Sequence, residues 1–183
     1  MGFLASGVNT GVRKYRPDVG IIISERAATA AGVFTKNECK AAPILYCQEL
    51  LPSTHVRAVI TNSGQANAAT GAEGAQRNLT LARATASAVG CTAEQVLVAS
   101  TGVIGVQVDL DKIVPALPDL VERACDAAEP FAVAILTTDL VPKTVTTEVK
   151  LSEGRIRITG MQRRSESART CMYERRGLVV GGE

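Results

Sequence analysis

Short runs of β-branched residues alternate along the chain with stretches of helix-forming residues, and this alternation restricts the possible folds more than any other feature. Residues 19–24 (VGIIIS) and 56–61 (VRAVIT) are β-branched and bounded by turn or polar residues, which predicts strands. Residues 73–89 are rich in Ala, Leu and Arg, and Gly90 follows as a C-cap, which predicts a helix. Residues 96–99 predict another buried strand before Ser100. Strands that alternate with helices indicate an α/β fold.

The rest of the chain continues the same pattern, with no internal repeat and no low-complexity linker. Its predicted elements are a capping turn at 92–95, a helical turn at 111–117 interrupted by Pro115 and Pro118, a long helix at 120–136, and a hairpin of strands 144–150 and 155–159 around residues 152–154.

Charge and hydropathy exclude two classes of partner. The 183 residues carry 20 basic and 18 acidic side chains, a net charge of +2, so the sequence offers no basic face suited to nucleic acid. No apolar run approaches the roughly 20 residues that span a bilayer, and the N-terminus lacks the pattern of a signal peptide. We therefore expect a protein that binds neither nucleic acid nor membranes and is not exported.

The five cysteines point to a reducing compartment. They are odd in number, widely spaced and never arranged as C-x-x-C, so neither a disulfide framework nor a zinc site is predicted. We expect a cytoplasmic protein without a bound metal.

Three segments place polar or glycine-rich residues directly after a predicted strand or helix: 61–71 (TNSGQANAATG), 99–105 (ASTGVIG) and 136–143 (LTTDLVPK). Ligand sites of α/β folds gather beyond strand ends, so these segments are expected to converge on one site. The Thr101-Gly102 pair could direct a hydroxyl and backbone N–H groups at an oxyanion, because glycine lets the backbone approach a ligand. The same two residues could equally form a tight turn.

Other polar residues in these segments have a structural and a functional interpretation. Asn62, Ser63, Gln65 and Asn67 could bind a polar substrate, but hydrogen bonds to their own backbone are favoured.

The same ambiguity holds for Thr137, Thr138 and Asp139, which could instead cap a helix end or start a turn. His55 has no carboxylate placed to orient it, so catalysis of the Ser-His-Asp or Cys-His kind is not supported.

Taken in order, five segments resemble one known family, the ornithine acetyltransferases, also called bifunctional glutamate N-acetyltransferases. The segments are GFLASGVNTGV, AATAAGVFTKNECKAAPILYC, AVITNSGQANAATGAEG, VLVASTGVIG and AILTTDLVPK. The resemblance covers residues 2–160, and we divide the chain into an α-chain-like domain (1–160) and a divergent tail (161–183). It implies the layered α/β sandwich of the self-cleaving aminopeptidases.

The resemblance also implies an activity. In this family a precursor cuts itself before a threonine, whose freed amine then acts as the base for its own hydroxyl. The acetyl group moves from N-acetylornithine, or in some members acetyl-CoA, to glutamate through an acetyl-threonine. The family's motifs assign the oxyanion hole to Thr101 and Gly102 and substrate binding to Thr137. They imply no cofactor and no metal, and a β-chain as partner in an α2β2 assembly.

The tail departs from the family pattern. Family members continue with a sequence like GICKGSGMIxPNMATML, which supplies a substrate-binding lysine and the nucleophilic threonine, whereas this chain reads TGMQRRSESARTCMYERRGLVVGGE. Thr170 follows Arg169 rather than Ala, so it is not assigned as the nucleophile. Met161-Gln162-Arg163 can be encoded by ATG-CAA-AGG, which read one base later encodes Cys-Lys-Gly, so we hypothesise a frameshift.

Because the nucleophile is missing from this pattern, two functions stay open. The chain is either an acetyltransferase α-chain that needs a separate β-chain, or a non-catalytic remnant that binds acetylated amino acids. The polar, Arg-rich tail is expected to be poorly ordered.

Overall fold

The computed structural model describes residues 2–138, 141–152, 154–162, 169–174 and 177–181, with side chains described as far as Met161. Its strands are β1 (Phe3–Val8), β2 (Val19–Val33), β3 (Ser53–Gln65), β4 (Val96–Val103), β5 (Lys143–Leu151), β6 (Gly154–Gln162), β7 (Arg169–Glu174) and β8 (Gly177–Gly181). Its helices are α1 (Ala42–Leu50), α2 (Gly71–Val89), α3 (Leu110–Glu122) and α4 (Glu129–Ala134), with a 3₁₀ turn at Ala93–Gln95.

One sheet organises the described part of the chain, in the order β4-β3-β2-β8-β7-β6-β5, with β1 also paired to β2. β2 is antiparallel to β1 and β3, whereas β3 and β4 run parallel. The connection between β3 and β4 passes through α2, as a parallel pair requires. The carboxyl ends of β3 and β4 therefore lie at the same edge of the sheet.

Successive side chains of β2 point to opposite faces of the sheet, so the core has two layers. Val19, Ile21 and Ile23 belong to the cluster that includes Leu81 of α2 and Leu117 of α3. These five side chains are at most 8% exposed, and burying each contributes about 1.5–3 kcal/mol. The period of two thus fixes α2 and α3 on one face of the sheet.

The opposite face is covered by α4 and, in part, by α1. Ile22 packs there in a cluster with Phe131 of α4 and Cys47 of α1. Gly20 allows α4 to lie close against β2, because a Cβ at this position would lie 2.9 Å from Cδ2 of Phe131. The fold is therefore an α/β sandwich with helices on both faces, as the sequence predicts.

Most predicted elements are confirmed. The helix predicted at 73–89 is α2, and its C-cap Gly90 has the left-handed φ of 77°. The capping turn carries a reciprocal capping box between Thr92 and Gln95. The strands predicted at 19–24 and 56–61 are parts of the longer β2 and β3, and the predicted hairpin is β5 and β6.

The helices after residue 110 were predicted wrongly. α3 runs without a break through Pro115 and Pro118, because it buries one apolar face formed by Ile113, Leu117 and Leu120. Three such burials offset a cost of about 3 kcal/mol for each proline in a helix interior.

The long helix predicted at 120–136 is also wrong, since within that span only the end of α3 and the six residues of α4 are helical. Cys125 lies between them and exchanges both backbone hydrogen bonds with Ala5 of β1, at 2.7 and 3.1 Å. Its peptide groups are therefore used to extend the sheet rather than a helix.

Two further features were not predicted. β1 and α1 were missed, and the tail expected to be poorly ordered contains β7 and β8, the latter parallel to residues 29–33 of β2. Residues 163–168, 175–176 and 182–183 lie outside the described residues.

At the far end of the sheet, all nine residues of β5 are exposed.

Among the described helices, none is long and apolar enough to cross a membrane.

Candidate active site

The three polar segments converge on one open cleft, as predicted. The cleft measures about 650 Å³, within the size range of small-molecule sites. Its lining residues come from the loop after β1, the end of β3, the end of β4 and the segment after α4: Val12, Arg13, Ser63, Gly64, Gln65, Thr101, Gly102, Val103, Val106, Thr137 and Thr138.

The parallel pairing of β3 and β4 forms the floor of the cleft. Ser63 lies beside Thr101, and Gly64 lies beside Gly102, in continuous register. Thr101 and Gly102 are therefore strand residues, because β4 continues to Val103 before the chain turns. The tight-turn interpretation of this pair is thus wrong.

Gly102 is required by the contact between the two strands. Its φ of +129° is one that residues with side chains rarely adopt, and a Cβ here would lie 2.3 Å from both the carbonyl carbon and the carbonyl oxygen of Gly64. No other residue fits without moving the neighbouring strand. The two glycines therefore leave a floor made of main chain, which a ligand can approach closely.

Thr101 presents a hydroxyl that nothing in the described part of the protein engages. The residue is 8% exposed and lines the cleft, yet its Oγ1 makes no hydrogen bond with a described residue. A hydroxyl that no described residue engages, on a nearly buried residue of the cleft lining, is able to donate to a ligand oxygen. This is what an oxyanion hole needs, since its donors must be in place before charge develops.

Three of the polar side chains around β3 are structural, as the sequence favours. Asn62 Nδ2 donates to the carbonyl of Gln65 at 2.9 Å, and Ser63 Oγ donates to the carbonyl of Ala134 at 2.6 Å. Asn67 Nδ2 donates to the carbonyl of Gly74 at 3.0 Å. These bonds hold the strand end and the loop that leads into α2.

Gln65 differs from these three residues. It lines the cleft, and its buried Oε1 has no hydrogen-bond partner within the described residues. An unsatisfied buried acceptor costs about 1–3 kcal/mol, so this oxygen lacks the hydrogen bond that a purely structural role of Gln65 requires.

Thr137 and Thr138 lie just after α4, and both line the cleft. Neither hydroxyl bonds to another described residue, which does not support a helix-capping role. Asp139, the third residue of this motif, lies outside the described residues.

Sequence reasoning missed Arg13, which reaches the cleft from the loop between β1 and β2. Its guanidinium donates to the main-chain carbonyls of Leu136 and Thr137, the latter at 3.0 Å. Its own backbone N–H donates to the carboxylate of the buried Asp18 at 2.8 Å. Partial burial, with Arg16 nearby, lowers the pKa of Arg13, while Asp18 opposes that shift.

His55 is remote from the cleft, as expected. It is exposed near the start of β3, roughly 25 Å from the strand's cleft end, and its Nε2 is 3.1 Å from the hydroxyl of its neighbour Thr54.

Comparisons with known proteins find similar sequences and similar structures. Residues 4–170 match a family model described as the ArgJ family. An arginine biosynthesis bifunctional protein from Thermosynechococcus vestitus is 46% identical over 167 residues, covering 90% of this chain. The chain spans 40% of the length of that relative.

Two solved structures are also similar. The arginine biosynthesis bifunctional protein of Bacillus halodurans is 34% identical with a TM-score of 0.85, and the match covers 90% of this chain and 87% of the other. An ornithine acetyltransferase from Mycobacterium tuberculosis, solved in complex with ornithine, is 35% identical with a TM-score of 0.82, covering 90% and 89%.

Proposed function

The chain belongs to the ArgJ family, and from that premise we propose that it forms the oxyanion-hole half of an acetyltransferase site of arginine biosynthesis. The reaction moves an acetyl group from N-acetylornithine, or acetyl-CoA, to glutamate. The observation that carries the proposal is the hydroxyl of Thr101, a residue 8% exposed that lines the cleft, unengaged by any described residue and beside the main-chain floor at Gly102.

The chemistry assigns these residues to one step. A threonine Oγ attacks the acetyl carbonyl, the carbonyl π electrons move onto oxygen, and Thr101 and Gly102 donate hydrogen bonds to that oxyanion. The threonine's own amine takes the Oγ proton, and collapse of the oxyanion breaks the acetyl C–N bond, passes that proton to the departing ornithine amine and leaves an acetyl ester on the threonine. The glutamate amine then attacks this ester through a second oxyanion in the same hole. Its collapse breaks the ester C–O bond and releases N-acetylglutamate, and the proton lost by the glutamate amine returns to the threonine Oγ through the same amine.

The nucleophilic threonine comes from a β-chain, with the two kinds of chain assembled as α2β2. The family pattern that carries this residue and a substrate lysine is not matched in residues 161–183. Thr137 binds the substrate, and support for a small amino-acid ligand comes from the Mycobacterium tuberculosis relative, whose structure contains ornithine. We place the protein in the cytoplasm, since its widely spaced cysteines suit a reducing compartment.

The proposal is tested by mixing the chain with the β-chain of a relative and measuring the rate of acetyl transfer. Thr101→Ala should lower kcat by about 10²–10³, or roughly 3–4 kcal/mol, as loss of one oxyanion donor does. Thr101→Ser is the matched control, since it keeps the hydroxyl and should retain most of the rate. Substrate KM should change little, because the donor acts mainly in the transition state.

A normal rate for Thr101→Ala, with only a lower melting temperature, would contradict the role of this side chain. Gly102 would then be the remaining candidate donor.

A second function is a non-catalytic protein that binds acetylated amino acids, favoured by the absence of the lysine and threonine pattern after Gly160. This function predicts ligand binding without turnover in the presence of any β-chain. Sequencing the coding DNA tests whether the missing pattern arose by a frameshift. An alternative frame that encodes Cys-Lys-Gly supports the frameshift hypothesis, and its absence contradicts that hypothesis.

A further inference from the structure

The cleft carries one formal charge on its described lining residues, and that charge is the guanidinium of Arg13. The other lining side chains are hydroxyls, an amide or apolar groups, or are absent at the glycines. A single cation among neutral groups attracts an anionic ligand group.

Two hydrogen bonds hold this guanidinium in place. It donates through one terminal nitrogen to the carbonyl of Leu136 and through the other to the carbonyl of Thr137. An arginine has five N–H donors in a rigid plane, so these two bonds orient the plane and leave the remaining donors for a ligand. The carbonyls carry no formal charge, so these two hydrogen bonds do not neutralise the positive charge of Arg13.

Among the described residues, the nearby acidic group of Asp18 does not remove this attraction for an anionic ligand group. Asp18 is 1% exposed, and its carboxylate accepts hydrogen bonds from the backbone and hydroxyl of Thr10 and from the backbone of Arg13. It is thus enclosed by the loop rather than facing a ligand. Arg16 lies on the same side, with one nitrogen 3.5 Å from the Thr137 carbonyl.

We propose that Arg13 binds the carboxylate of the amino-acid ligand in this cleft, and that its bonds to the Leu136 and Thr137 carbonyls hold it in position to do so. The identity of the ligand as an amino acid rests on the proposed function. The requirement that the ligand carry a carboxylate rests on Arg13. A planar guanidinium can form two parallel hydrogen bonds with a carboxylate, which a carboxamide cannot accept equally.

Ligand binding to the 183-residue chain tests the inference directly. The probes are N-acetyl-L-ornithine and its carboxamide, titrated by NMR or calorimetry, and they differ only in the group that Arg13 should recognise. The unaltered chain should bind the carboxylate about 10- to 100-fold more tightly, as expected for hydrogen bonds between charged groups. Arg13→Gln should abolish that preference.

Three control variants separate recognition from stability and from catalysis. Lys14→Gln removes the same charge from the exposed neighbouring residue and should keep the preference. Arg13→Lys keeps the charge but not the planar fork, so it should retain part of the preference. Thr101→Ala should keep the preference in full even where acetyl transfer is lost, so failure of the proposed reaction and failure of this inference give different results.

Equal affinity of the unaltered chain for the two probes, or binding of neither, would overturn the inference. So would an Arg13→Gln variant that melts at a lower temperature but still prefers the carboxylate, since its role would then be structural.

Discussion

Gly102→Ala is expected to be among the most destabilising single-methyl substitutions in the protein. The change adds one carbon, but at φ +129° that carbon would lie 2.3 Å from the carbonyl carbon and oxygen of Gly64 and 2.9 Å from the backbone nitrogen of Gln65. All three atoms are main chain, so no side-chain rotation relieves the contact.

The magnitude follows from two contributions. A residue with a side chain held at such a φ costs about 1–3 kcal/mol, and forcing an extra carbon into a packed site costs about 1–3 kcal/mol more. Gly90→Ala is the matched control, because φ is +77° at the C-cap of α2 and nothing lies within 4 Å of the added Cβ. It should cost only about 1 kcal/mol. The difference between the two variants therefore isolates the contact between β3 and β4.

Urea unfolding followed by circular dichroism measures both variants. With a slope of about 2 kcal/mol/M, a loss of about 4 kcal/mol lowers the midpoint by about 2 M for Gly102→Ala, against about 0.5 M for Gly90→Ala. Equal midpoints for the two variants would refute the reasoning, since the strands would then separate at no cost.

Three further predictions concern stability. Thr85→Val should raise the free energy of unfolding by about 1 kcal/mol, because Thr85 is fully buried and its Oγ1 has no partner among the described residues. The control Thr80→Val removes an exposed hydroxyl that is bonded to a helix carbonyl, so it should not stabilise the protein. Thermal melts compare the two variants. Burial raises the pKa of the Cys47 thiol from 9.0 to about 11, so its contribution is fully present below pH 9 and about 2–3 kcal/mol is lost as the pH rises to 11. Urea titrations across this range should show a larger loss in the unaltered chain than in Cys47→Ala, where the half-buried Tyr46, whose pKa burial raises to about 12, still loses stability. Asp18→Asn should cost about 2–4 kcal/mol, because both carboxylate oxygens accept hydrogen bonds and the new NH₂ group would face either the donors of Thr10 or the backbone N–H of Arg13. An unchanged urea midpoint would contradict this.

The sequence predicts the centre of each principal strand better than its ends. The β-branched residues of 19–24 identify β2, but the strand continues to Val33 through an alanine-rich stretch whose intrinsic preference is not for strands. Pairing with β3 and β8 holds that continuation in the sheet. Such pairing partners are distant in sequence, so a local pattern does not reveal them.

The site shows the same division between local and distant contacts. Thr101, Gly102 and Thr137 stand in recognisable local motifs after strands or helices, and the convergence of their segments could be predicted. Arg13 could not, because the carbonyls that fix it belong to Leu136 and Thr137, which are 123 and 124 residues away. Its loop offers no local pattern that distinguishes it from the exposed Lys14 beside it.

The exposed strand β5 has a practical consequence for handling this chain. Val145, Val149 and Leu151 are 72%, 36% and 50% exposed on a strand whose outer edge is unpaired within the described sheet. Such an edge offers free peptide groups and apolar side chains to any extended segment that meets it. Preparations of the chain by itself should therefore self-associate as concentration rises, and aggregation should begin at this hairpin rather than at the cleft. A lysine in place of Val145 should raise solubility without altering ligand binding.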